Sequence, residues 1–113
     1  MITVRFYQKP SQGSIHMTIK GHAGAAPKGE DLVCSAATML AYTVAQAVQF
    51  MNEQGQLKKN PKISIKEGEA KIIAMPTEEG YAMALHTFWV AQCGIHVLQH
   101  NYPQYVKLEH LTV

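Results

Sequence analysis

His22 and Cys34 stand twelve positions apart, and the chain between them carries Gly24, Pro27 and Gly29. The cysteine falls just inside the start of an apolar stretch that reads as a helix. A thiol there is favoured as thiolate, because the unpaired N–H groups of the first turn and the helix dipole stabilise negative charge. A histidine within reach could take the thiol proton and later hand it to a leaving group. These residue types outline a cysteine–histidine nucleophilic site, and no cofactor is called for. Asp31 has two roles open to it, capping the helix or orienting His22, and its place three residues before Cys34 favours the cap. The backbone N–H groups of Cys34 and Ser35 are the expected holders of a tetrahedral oxyanion. The bland reading stands beside this one: a cysteine at a helix start can be a small packed hydrophobe, and a strand-end histidine can cap a backbone group.

The elements that must position these residues follow from periodicity. Ile2, Val4 and Phe6 alternate with polar neighbours, as do Ile15, Met17 and Ile19, giving two strands joined by the turn chemistry of Lys9-Pro10-Ser11-Gln12-Gly13. The second strand ends at Gly21 and so delivers His22 at its tip, while His16 falls on the polar, solvated face. From Asp31, the residues Val33, Ala37, Leu40, Val44, Val48 and Met51 recur at helical intervals as far as about Glu53, with Asn52 and Gly55 supplying the stop. Segments 61–66 and 70–75 read as a hairpin around Glu67-Gly68-Glu69. A second helix is expected from Glu78-Glu79 to about Gln99. Its apolar face is read as broad, with Tyr81, Leu85, Phe88, Trp89, Gln92, His96 and Gln99 on one side, Met83, Val90, Val97 and Leu98 widening the stripe, and Gly94 a weak point inside it. Residues 105–109 form a last strand. The expected fold is therefore α+β in the order ββαββαβ, a mostly antiparallel sheet with two long helices packed on it.

Bulk properties exclude several classes. A chain of 113 residues with 47% hydrophobic and 16% charged content is one globular domain of ordinary soluble composition. A net charge of +2, with lysines scattered apart from Lys58-Lys59, does not argue for direct nucleic-acid binding. No apolar run approaches the ~20 residues of a membrane span, and the opening residues lack a signal-peptide pattern. The expectation is a cytoplasmic protein without membrane contact, whose Cys34 and Cys93 stay reduced. Cys93, His96 and His100 recur at ligand spacing on one helix face, but no further ligand cluster completes a sphere, and no metal is expected. His86 and His110 carry no signal beyond their elements.

Gly21-His22-Ala23-Gly24, then Gly29, Asp31, Val33 and Cys34 with an alanine-rich continuation, resembles the ribosomal-processing cysteine protease family. Its members are small bacterial enzymes that remove an N-terminal extension from the large-subunit ribosomal protein L-twenty-seven. The resemblance implies a cysteine endopeptidase with Cys34 as nucleophile and His22 as general base, supported by Asp31, Ser35, Gly21, Gly24 and Gly29. It also implies a substrate with consecutive phenylalanines before the cut, bound extended under a glycine-rich loop, and a homodimer. Two departures stand out: Ser35 replaces an expected alanine, and Ala26-Pro27 replaces a more polar, aromatic loop. The alternative from another class is a non-catalytic module that binds ribosomal protein or RNA during ribosome assembly, with Cys34 merely buried.

Overall fold

The structure, a computed structural model, describes residues 1–24, 26 and 31–112. Strands β1 (Ile2–Lys9) and β2 (Ser14–Lys20) form the first hairpin, followed by helix α1 (Leu32–Glu53). Strands β3 (Lys62–Lys66) and β4 (Glu69–Ala74), helix α2 (Tyr81–Asn101) and strand β5 (Val106–Thr112) complete the order ββαββαβ. The sheet runs β3-β4-β2-β1-β5; every neighbouring pair is antiparallel except β1 and β5, which are parallel. The expected fold class therefore holds.

One face of the sheet carries the core. Ile2, Val4 and Phe6 of β1, Ile15, Met17 and Ile19 of β2, and Ala70, Ile72 and Ala74 of β4 are all buried there. Helix α1 covers them with Val33, Ala37, Ala41, Val44, Ala45, Val48 and Met51, close to the stripe read from the sequence. Its alanines keep the helix near the sheet, since a small side chain leaves little between the two backbones. By length and composition α1 is the one described helix that could cross a membrane, although no segment was expected to come near such a span. Here the same apolar character is used to pack on the sheet.

Helix α2 departs further from expectation. It begins at Tyr81 rather than at Glu78-Glu79, which lie in a turn, so its first turn has no acidic residue. Its buried side is Ala84, Phe88, Ala91, Ile95 and Leu98, whereas Trp89 is 59% exposed. A helix with no formal charge has apolar residues all round, and its periodicity does not single out the packed face. Gly94 also has a use: a Cβ there would lie 2.9 Å from Leu40 Cδ2, so the glycine lets α2 close on α1.

His16 corrects a second reading. It does lie on the sheet face away from the core, beside its register partner Tyr7. Yet it is only 3% exposed, because β2 is a central strand and its neighbours cover it. The ring stacks on Tyr7 with centroids 4.5 Å apart, and Nε2 pairs with Ser14 Oγ at 2.7 Å while Nδ1 has no partner. Burial, with Lys9 and Lys71 nearby, holds its pKa below the ordinary histidine value.

Candidate active site

The site is built where the exit of β2, the start of α1 and the β3–β4 turn converge. β2 ends at Lys20, and Gly21 then adopts a φ of +96°. A side chain at Gly21 would strike the Met1 carbonyl oxygen, so both conformation and space require glycine here. The Gly21 N–H donates to the Gly68 carbonyl at 2.9 Å, and the Met1 nitrogen donates to the His22 carbonyl at 2.7 Å. These bonds fix the backbone on either side of the histidine. The His22 side chain is exposed, and its imidazole rests against Gly68.

Cys34 occupies the third position of α1 and is half-buried. The N–H of Ala23, the buried residue after His22, donates to Cys34 Sγ at 3.3 Å. This bond ties the strand exit to the helix start and aims a donor at the sulfur, where negative charge would develop. Asp31 acts as the N-cap: its Oδ1 accepts from Cys34 N–H at 2.9 Å, and the residue is itself buried. The carbonyl of Asp31 accepts from Ser35 N–H at 3.1 Å. Both N–H groups expected to form an oxyanion hole are thus engaged by Asp31. A separate donor, facing the sulfur, comes from Ala23, whose apolar side chain gave no signal in the sequence.

His22, Cys34, Asp31, Ser35, Gly21 and Gly24 all line one cavity of about 660 Å³, together with Ala26. Gly24 has a φ of +71° with open space around it. Gly29 and Pro27, singled out in the sequence, fall outside the described residues. The cavity wall is apolar where Ile65, Ala70 and Tyr42 contribute, and charged at the β3–β4 turn, where Lys66, Glu67 and Glu69 stand. No hydrogen bond joins the His22 ring to Cys34 Sγ among the described residues; in proteins without bound substrate, catalytic hydrogen bonds are often long and tighten in the complex. Cys93 is exposed on α2, away from this cavity. Among the described residues no three His, Cys, Asp or Glu side chains gather as metal ligands.

The profile of the family described as Cysteine protease Prp matches residues 1–107. The chain belongs to the cysteine protease Prp family. Membership makes it a cysteine protease and sets aside the non-catalytic alternative. No curated protein matches it by sequence. Among solved structures it is similar to the ribosomal processing protease Prp from S. aureus with a covalently linked product peptide, at 19% identity and a TM-score of 0.75. That match covers 98% of this chain and all (100%) of the other. The S. aureus Prp with a substrate peptide gives 17% identity and a TM-score of 0.67 over 98% and 100% of the two chains. SMU.848 from Streptococcus mutans gives 22% identity and a TM-score of 0.70 over 100% and 96%. At these identities the structural likeness is one of fold, the Prp fold in its ββαββαβ order.

Proposed function

We propose that this chain is an endopeptidase that removes the N-terminal extension of a large-subunit ribosomal protein, with Cys34 as nucleophile and His22 as general base. The observation that carries the reading is the 3.3 Å bond from Ala23 N–H to Cys34 Sγ, which puts the residue next to His22 on the thiol. In the reaction Cys34 Sγ attacks the scissile carbonyl carbon as His22 takes the thiol proton. His22 then returns that proton to the leaving amine, and water cleaves the resulting thioester with His22 again as base. Ala23 N–H is the donor best placed to meet charge beside the sulfur. Asp31 holds the helix start closed beneath the nucleophile. The apolar wall of Ile65, Ala70 and Tyr42 suits the side chains of consecutive phenylalanines in an extended peptide.

The similar S. aureus structures support a peptide substrate, since one holds a covalently linked product peptide and another a substrate peptide. The setting proposed is the cytoplasm, where Cys34 and Cys93 remain free thiols. A second copy of this chain is the proposed partner of the outer helix surface. Glu53 is the only formal charge on α1 and α2, and Met39, Phe50, Met83, Trp89, Val90 and Val97 are exposed there. An uncharged apolar face complements itself better than it complements a charged partner, nucleic acid included. A monomer by light scattering at micromolar concentration would end the dimer proposal.

The catalytic reading is tested with a fluorogenic peptide carrying two phenylalanines before the cut. Cys34→Ala abolishes cleavage while folding normally, and His22→Ala lowers kcat by at least about a hundredfold. Cleavage retained by purified Cys34→Ala would end the assignment of the nucleophile.

A further inference from the structure

Gly68 lies in the turn between β3 and β4, outside the motif that carries His22 and Cys34, and the mechanism above gives it no part. Two contacts tie it to the site. Its carbonyl accepts from Gly21 N–H at 2.9 Å, fastening the turn to the backbone that delivers the histidine. Its bare Cα faces the imidazole: a Cβ built there would lie 2.8 Å from His22 Nε2, 3.3 Å from Cε1 and 3.6 Å from Cδ2. Three ring atoms this close to one point mean that the ring lies against the turn. The turn cannot slide away, because Glu69 pairs with Lys66 on one side and with Lys20 on the other. An exposed imidazole otherwise samples several rotamers, so a fixed surface beside it decides which one it occupies.

We propose that Gly68 is a positioning residue, whose side-chain-free surface seats the His22 imidazole for proton transfer. This rests on the reading of His22 as general base. Proton transfer demands heavy-atom approach within about 2.6–3.2 Å, so a ring moved by several tenths of an ångström loses turnover more than binding.

Backbone strain is the confounding effect, and Gly55 controls for it. Gly68 has a φ of +76° and Gly55 one of +73°, but a Cβ at Gly55 meets nothing within 4 Å. The experiment compares Gly68→Ala, Gly68→Asn (asparagine tolerates this backbone region) and Gly55→Ala with the unsubstituted protein. It reads kcat and KM on the phenylalanine peptide, the urea midpoint, and the His22 Cε1–H proton resonance, assigned by its loss in His22→Ala. The expected result is that both Gly68 variants fold, with a kcat lower by about tenfold or more and KM within about twofold. Their His22 resonance shifts, whereas Gly55→Ala keeps both kcat and resonance. Gly68 variants that match Gly55→Ala in kcat and resonance would overturn the proposal. So would Gly68 variants that fail to fold while Gly55→Ala folds, because the glycine would then serve the turn alone. Undiminished cleavage by His22→Ala would instead sink the general-base reading, and the resonance would still report whether the ring is seated on Gly68.

Discussion

Replacing Asp31 by alanine deletes the acceptor of the 2.9 Å bond from Cys34 N–H and leaves that donor at a buried helix start. Loss of an N-cap side chain costs about 0.5–2 kcal/mol. With Asp31 only 8% exposed, water replaces the lost acceptor poorly. The expected cost therefore lies in the upper part of that range, about 1.5 kcal/mol. In a chain of 113 residues this lowers Tm by about 6–8 °C. Asparagine keeps an oxygen acceptor at the same position, so Asp31→Asn should recover all but about 0.5 kcal/mol. The assay is urea unfolding of the three proteins at one pH, comparing midpoints at an unchanged slope, with peptide cleavage measured on the same samples. Cleavage should follow stability, with asparagine well ahead of alanine, because the cap sets the position of the nucleophile. Equal destabilisation by both variants, or none by alanine, would refute the capping argument. If Asp31→Asn is as stable as the parent but as inactive as alanine, the carboxylate charge acts on His22 and the cap is incidental.

Two other predictions follow from the buried histidine and the second cysteine. His16 has a folded-state pKa below its ordinary value of 6.5, so the unfolded chain binds its proton first as pH falls. The stability this contributes is fully present above about 6.5 and is lost as pH drops from there through the folded-state pKa. Urea midpoints measured between neutral pH and pH ~5 should therefore fall less steeply in His16→Phe than in the parent, and parallel slopes would reject the linkage. Cys93→Ser should cleave the phenylalanine peptide at the parent's rate, because Cys93 is exposed away from the cavity, and EDTA should leave that rate unchanged. Activity removed by chelator and restored by zinc would contradict this.

Local pattern made much of the molecule legible. The alternation in β1 and β2, the glycine that ends β2, and the aspartate three residues before Cys34 each act through near neighbours in the chain. What was misread depends on residues distant in sequence. His16 was read as solvated because alternation reports a face, while burial depends on how many strands flank it, and β2 is central. The packed side of α2 was displaced because no charged residue marks its solvent side, leaving Trp89 exposed where a core role was expected. That the N–H groups of Cys34 and Ser35 are already bonded is likewise hidden, because a sequence shows which N–H groups begin a helix but not which have partners. Asp31 takes both.

The sequence by itself determined the fold class, the nucleophile candidate at a capped helix start and the histidine at a strand end. Each of these rests on short-range rules of periodicity, capping and turn geometry. Only the tertiary structure decided that Ala23 N–H faces the thiol and that the bare Gly68 turn lies under the imidazole. Both contacts join segments separated in the chain, and they arise from sheet register and helix packing, which bring distant backbones together regardless of what their side chains announce.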